Sequence, residues 1–246
     1  MFATDFGGMN ESTRTTQTVV LLHGLGRTSR SMQPLARALE RRGYKVINIS
    51  YPSRTAASAE LAHGIGAEIA RLAPEGRLHF ITHSLGGILL RVATALGVLP
   101  VERIARVVML APPNGGTELV NKLTSRACLA TVYRQLAGPA GVELGVGPSS
   151  VPENLPAVSF DLGVIAGSRS VNPVFSALIP RPNDGKVPVS RTVVSGMRDM
   201  VVLPYPHPLI MRASVAIEYA IRFLETGAFQ ERRIARILTG EFRLAL

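Results

Sequence analysis

The sequence predicts an α/β protein with one doubly wound, mostly parallel β-sheet and helices on both faces of that sheet. Its 246 residues fit one domain of ordinary size. Apolar residues make up 46% of the chain and charged residues 18%, a composition that can build a real core. Short apolar runs alternate with segments of helical period as far as residue 110, which is typical of consecutive β-α-β units.

The first half of the chain contains four predicted strands and three predicted helices. The run Thr18–Leu22 is continuously apolar, as expected of a strand that is buried on both faces. Apolar residues at 32, 35, 36 and 39 then indicate a helix that Gly43 ends. By the same reasoning, strands are expected at 45–51, 78–82 and 104–110, and helices at 58–72 and 86–96.

After Pro112 the spacing of the apolar residues changes. A stripe of apolar residues over 117–136 predicts one helix or a broken one, and the Gly-, Pro- and Ser-rich stretch that follows predicts a loop. That loop covers 138–156. After it we expect strands at 162–166 and 191–195, a helix at 211–224 and a short basic helix at 229–238.

The chain carries a formal net charge of +10, yet its basic residues are scattered and form no nucleic-acid-binding motif. We therefore expect a solvated basic surface and no nucleic-acid partner, with peripheral contact of 229–238 with an anionic membrane as the alternative. The polar segment 1–17 is expected to be a flexible arm rather than a secretory signal, and no apolar run is long enough to span a bilayer. A cytoplasmic protein is expected.

The third predicted strand leads directly into Thr82-His83-Ser84-Leu85-Gly86-Gly87, and a predicted helix follows. This is the strand–turn–helix setting of a nucleophile elbow, G-x-S-x-G, with Thr82 in the first small position. Ser84 is therefore the candidate nucleophile. The N–H of Leu85, at the start of the helix, is a candidate donor to an oxyanion.

A second glycine-rich segment follows the first predicted strand as His23-Gly24-Leu25-Gly26. In hydrolases with a nucleophile elbow, the second oxyanion donor is a backbone N–H in the loop after an early strand. Leu25 is the candidate for that donor. A phosphate-binding loop is less well supported, because no Gly-Lys-Ser/Thr ending is present.

These motifs resemble those of the α/β-hydrolase superfamily, in particular its lipase and esterase branch. The resemblance covers about residues 18–225 and rests on V-V-L-L-H-G-L-G, I-T-H-S-L-G-G, A-P-P-N-G-G and N-D-G-K-V-P. It implies the α/β-hydrolase fold, with one domain at 18–246 and a small cap insertion at 115–156. The apolar content of this insertion suggests that it lines a site for an acyl chain.

The resemblance also implies a Ser-His-Asp triad in the chain order Ser, Asp or Glu, His. Of the five histidines only His207 follows Ser84, so His207 is the expected base. His83 is expected to point away from Ser84 by strand alternation. Asp184, in the Asp-Gly-x-Val-Pro segment, is the expected acid, and Asp199 is the alternative.

The expected activity is hydrolysis of carboxylic esters through an acyl-enzyme, with a small-molecule or lipid ester as substrate. Thioester cleavage or acyl transfer would use the same residues, and a non-catalytic binding module on the same fold is a further alternative. The chemistry needs no cofactor and no metal. The single cysteine, Cys128, falls on the predicted helical stripe and is expected to be a buried, inert thiol.

Overall fold

The computed structural model describes residues 17–230. Six parallel strands form one sheet in the order β2-β1-β3-β4-β5-β6. The strands are β1 Thr18–Leu22, β2 Lys45–Ile49, β3 Leu78–His83, β4 Ile104–Leu110, β5 Asp161–Gly167 and β6 Asp199–Leu203. The helices are α1 Gln33–Arg41, α2 Ser58–Leu72, α3 Leu85–Ala95, α4 Glu118–Thr124, α5 Ala127–Val142, α6 Val151–Asn154, α7 Pro173–Ala177 and α8 Ser214–Thr226.

Helices cover both faces of this sheet, as predicted. In β1, Val20 and Leu22 pack in one core cluster with residues of α2 and α3, whereas Val19 and Leu21 pack in a second cluster with residues of α1 and α8. All four of these side chains are fully buried. Alternate residues therefore pack in opposite cores, which explains why the strand is apolar at every position from Val19 to Leu22.

The predicted strand at 191–195 is wrong. Val189–Arg191 forms a 3-10 turn that Thr192 closes by donating its side-chain hydroxyl to the carbonyl of Val189 at 2.7 Å. The sixth strand begins eight residues later than predicted, at Asp199. It lies at the edge of the sheet and is only partly buried, so its sequence lacks the uninterrupted apolar run of the inner strands.

The segment after β4 is more helical than predicted. The stripe over 117–136 is broken between α4 and α5, and α5 bends at Gly138, directly before Pro139. Part of the expected loop at 138–156 is therefore helical, at the end of α5 and in α6. Cys128 lies on the outer side of α5 and is exposed, so the expectation of a buried thiol is wrong.

Two expectations fall at the ends of the chain. The arm at 1–17, apart from its last residue, and the basic helix at 229–238, beyond its first two residues, lie outside the described residues. Within residues 17–230, no helix combines the length and the hydrophobicity that crossing a bilayer requires. The cytoplasmic location and the contact with an anionic membrane stay predictions.

Candidate active site

Ser84 lies on a sharp turn between β3 and α3. Its backbone adopts φ 52° and ψ −122°, a conformation that side-chain-bearing residues rarely adopt and that costs about 1–3 kcal/mol. The Ser84 N–H donates to the carbonyl of Leu110 in β4 at 2.9 Å, which anchors the turn to the sheet. This is the geometry of a nucleophile elbow, in which the serine stands at the carboxyl edge of the strands.

Small residues allow this turn to pack tightly. A Cβ on Gly86 would lie 2.6 Å from the carbonyl oxygen of Leu22 and 2.8 Å from that of His23, so the first turn of α3 lies directly on the end of β1. Thr82, which stands where the elbow motif has its first glycine, is fully buried. Its hydroxyl oxygen would lie 3.1 Å from a Cβ on Gly87, so a glycine beside the threonine makes room for its side chain.

His207 and Asp184 approach Ser84 from two loops that follow β6 and β5. His207 Nε2 lies 3.0 Å from Ser84 Oγ, and His207 Nδ1 lies 2.7 Å from Asp184 Oδ2. A carboxylate only accepts hydrogen bonds, so Nδ1 carries the proton and Nε2 is free to accept the hydroxyl proton of Ser84. The structure thus brings these three predicted site residues into one hydrogen-bonded series.

Backbone groups fix the Asp184 carboxylate in this series. Asp184 Oδ1 accepts from the N–H of Lys186 at 2.9 Å and from that of Val187 at 2.8 Å, and the side chain is only 1% exposed. The carbonyl of Asp184 also accepts from the N–H of His207 at 3.0 Å, which ties the two loops together. Each carboxylate oxygen therefore has partners of its own, and the imidazole is held by the second oxygen.

Asp199, the alternative acid, is not part of this series. It is the first residue of β6 and therefore lies at the amino edge of the parallel sheet, opposite the edge that carries Ser84. Its Oδ1 accepts from the N–H of Met200, and its Oδ2 accepts from the N–H of Phe229, both at 2.8 Å. Asp199 thus joins β6 to the chain that follows α8.

The turn after β1 passes directly beside Ser84. A Cβ on Gly24 would lie 3.2 Å from the Cβ of Ser84, and the N–H of Arg27 closes the turn on the carbonyl of Gly24 at 3.1 Å. The turn places Leu25 against the same site. The N–H of Leu85 belongs to the first turn of α3, where backbone donors have no intrahelical acceptor.

The His23 side chain stabilises this turn through a stacking contact and hydrogen bonds. Its ring stacks on Tyr51 at 4.0 Å between centroids, and its Nε2 accepts from the N–H of Tyr51 at 3.2 Å. Nδ1 therefore carries the proton and donates to the carbonyl of Gly24 at 2.9 Å. Burial lowers the pKa of His23, which favours this neutral form.

His83 does not point away from the site, contrary to the expectation from strand alternation. Its Nε2 donates to the carbonyl of His207 at 3.0 Å, and the two rings lie 4.9 Å apart. The unusual backbone of Ser84 ends the alternation of β3 one residue later, which explains the error. Burial lowers the pKa of His83 well below its usual value, so the ring is neutral.

A cavity of about 320 Å³ opens beside Ser84 and His207. Its apolar wall comes from the segment that the sequence predicted as a cap, with Leu119, Leu123 and Leu136 among the lining side chains. Two larger clefts, of about 810 and 940 Å³, open elsewhere on the described surface. Neither of them is lined by Ser84, so of these three the smaller cavity is the one beside the candidate nucleophile.

Comparison with known proteins agrees with this fold. The model of the alpha/beta hydrolase family matches residues 19–236, which is most of the sequence. This protein belongs to that family. No curated protein has a sequence that matches the chain.

Several solved structures share the fold at low sequence identity. A lipase of Bacillus licheniformis, BlEst2 in its mature form, is 17% identical with a TM-score of 0.70, over 86% of this chain and 93% of the lipase. The metagenomic carboxyl esterase MGS0156 is 19% identical with a TM-score of 0.66, over 87% and 76% of the two chains. The phospholipase PlaB of Legionella pneumophila is 17% identical with a TM-score of 0.63, over 86% of this chain and 59% of the phospholipase.

Proposed function

We propose that this hydrolase cleaves carboxylic esters through an acyl-enzyme formed on Ser84. The observation that carries the proposal is the series of hydrogen bonds from Asp184 through His207 to Ser84 Oγ, at 2.7 and 3.0 Å. The similarity of the fold to a lipase, a phospholipase and a carboxyl esterase supports an ester as the substrate. The apolar wall of the adjoining cavity supports an acyl chain as part of it.

In the proposed reaction, Ser84 Oγ attacks the ester carbonyl carbon while His207 Nε2 takes the hydroxyl proton. Asp184 holds the ring by its Nδ1–H and stabilises the imidazolium. The N–H groups of Leu25 and Leu85 would donate to the oxyanion, each contributing about 3 kcal/mol to the stability of the transition state.

Collapse of the tetrahedral intermediate breaks the bond between the carbonyl carbon and the alcohol oxygen. His207 gives its proton to the departing alcohol, and the acyl group remains on Ser84. A water molecule, deprotonated by His207, then attacks the acyl-enzyme. The bond from the acyl carbon to Ser84 Oγ breaks, His207 returns the proton to Ser84 Oγ, and the carboxylic acid is released. In this scheme the segment 115–156 acts as the cap that walls the acyl site.

The proposal is tested by the labelling of Ser84 together with turnover of p-nitrophenyl esters of increasing acyl length. We expect a fluorophosphonate to add once to the wild type at Ser84, and hydrolysis to be lost in Ser84→Ala. Ser159→Ala is the matched control, because Ser159 is exposed at the other edge of the sheet. Ester hydrolysis that survives Ser84→Ala would overturn the proposal.

Thioesterase and acyltransferase activity would use the same residues as esterase activity. The choice of substrate and acceptor distinguishes the three activities. An octanoyl ester and the octanoyl thioester of the same leaving-group size are compared, with and without a competing alcohol as acceptor. Faster release from the ester, with the free acid as product, supports esterase activity. The non-catalytic alternative predicts neither labelling nor turnover.

A further inference from the structure

Three cationic side chains line the cavity beside Ser84. They are Arg27, Arg54 and Lys186, and each is exposed. Among the described residues that line the cavity there is no carboxylate. No ion pair within residues 17–230 involves any of the three, whereas Arg191, near the same cap segment, is paired with Glu118 and Glu153.

Main-chain contacts fix the backbone of each of these three residues beside the cavity that it lines. Arg27 closes the turn that begins at Gly24. The main chain of Arg54 packs directly on the bend of α5, where a Cβ on Gly138 would overlap the carbonyl of Arg54. The backbone of Lys186 is fixed from both sides, because its N–H donates to Asp184 and its carbonyl accepts from the hydroxyl of Thr117 at 2.6 Å.

Two of these cations lie close enough to repel each other. Partial desolvation in the cavity, with the charge of Arg27 as a second cause, lowers the pKa of the Lys186 ammonium. The charge of Asp184 raises the pKa of Lys186, as the smallest of the causes, and the oxygens of Asp184 already accept from two backbone N–H groups and from His207. An anion placed between the cations would relieve the repulsion, since opposite charges at short range attract.

We infer that the substrate carries an anionic group, a carboxylate or a phosphate, in addition to its ester and its apolar chain. The group would lie at the rim of the cavity against Arg27, Arg54 and Lys186, while the apolar chain lies along the cap wall. Arginine binds both kinds of anion through paired N–H donors, and lysine binds them as a point charge. The inference rests on the proposed function for the ester itself.

Two matched pairs of esters test the inference. In the first pair, p-nitrophenyl octanoate is compared with the p-nitrophenyl monoester of suberic acid, whose carboxylate ends a chain too long for rapid self-cleavage. In the second pair, 1-octanoylglycerol is compared with its 3-phosphate, which places the anion on the alcohol side. We expect kcat/KM to be about 5-fold or more higher for the charged member of at least one pair, and the preference to fall with added salt.

Variants of the cationic residues test whether they cause the preference for the charged ester. We expect Lys186→Met and Arg27→Met each to reduce the ratio of charged to neutral kcat/KM by about 2- to 5-fold. Arg37→Met, which removes an exposed charge on α1 outside the cavity lining, should keep the wild-type ratio. A preference that persists in both cavity variants would overturn the assignment of the site.

Binding to a variant without the nucleophile separates the two proposals. Octyl phosphate and octanol are titrated into Ser84→Ala and into Ser84→Ala with Lys186→Met. Tighter binding of the phosphate, weakened at least about 2-fold by Lys186→Met, supports the anion site even where no ester is cleaved. Ser84-dependent hydrolysis with no charge preference in either pair, and equal binding of the two ligands, would overturn the inference and leave the proposed function standing.

Discussion

His83 Nε2 donates a hydrogen bond to the main-chain carbonyl of His207 at 3.0 Å, so the residue before Ser84 holds the loop that carries His207. The other ring nitrogen of His83, Nδ1, is buried and has no hydrogen-bond partner among the described residues. The buried ring is therefore kept at some energetic cost. This bond joins the elbow directly to the loop of His207, and it suggests that His83 positions the imidazole.

We expect His83→Leu to lower kcat about 10- to 100-fold with little change in KM, because the loop of His207 loses an anchor and small misplacements of a reacting group are costly. His83→Gln keeps an N–H donor and should recover a large part of the loss. Both variants are measured with separate kcat and KM values and with thermal unfolding. A rise in KM at constant kcat would instead assign His83 to substrate binding.

Exchange of one carboxylate for an amide discriminates between the two acid candidates. We expect Asp184→Asn to lower kcat on the order of 10³- to 10⁴-fold, because an amide at this position no longer selects the His207 tautomer with the proton on Nδ1. Asp199→Asn should stay within a few-fold of the wild type, since the Asp199 carboxylate, within residues 17–230, bonds only to the backbone N–H groups of Met200 and Phe229. Steady-state kinetics on one p-nitrophenyl ester suffice, and an inactive Asp199→Asn beside an active Asp184→Asn would contradict the assignment.

How clearly the sequence predicts a strand depends on how far that strand is buried. The inner strands were predictable because both of their faces are covered, which leaves apolar runs such as Thr18–Leu22. The edge strand Asp199–Leu203 begins with a charged residue and is only partly buried. The turn around Thr192, in contrast, contains β-branched residues, which are typical of strands. Local sequence could not separate these two segments.

The sequence predicts those residues of the candidate site that belong to a local motif or to the chain order of the family. It does not predict contacts between residues that lie far apart in the sequence. Ser84 and its neighbours follow from the elbow motif, and His207 follows from the chain order of the family. The contact of His83 with His207 spans 124 positions and depends on the backbone turn at Ser84. The cations of the cavity come from three separate loops, so no local pattern relates them.

Two glycine variants test two different effects on stability: Gly86→Ala tests close packing, and Gly64→Ala tests helix propensity. We expect Gly86→Ala to destabilise the protein by about 2 kcal/mol or more and to lower kcat, because the new Cβ would meet two backbone oxygens of β1 and its turn at 2.6 and 2.8 Å. Gly64→Ala, in the exposed interior of α2, meets nothing within 4 Å and should stabilise by about 0.4–1 kcal/mol. Urea denaturation measures both, and equal midpoints would contradict the packing argument.

The stability of the protein should fall in acid, and His79 on β3 should account for part of the loss. Burial, with the charges of Arg106 and Arg77, lowers the pKa of His79 from 6.5 to about 4. Between these two values the unfolded chain binds the proton and the folded chain does not, so stability is lost as the pH falls through this window. The full shift corresponds to about 3 kcal/mol.

We therefore expect the free energy of unfolding to decrease between pH 7 and pH 4 in the wild type, and to decrease less in His79→Gln. His79 is 5% exposed and lies near the amino end of β3, away from Ser84, so activity at neutral pH is not the readout. His63→Gln, on the exposed side of α2, is the matched control and should follow the wild-type curve. Urea denaturation at four or five pH values measures the difference, and parallel curves for His79→Gln and the wild type would show that this imidazole does not bind a proton on unfolding.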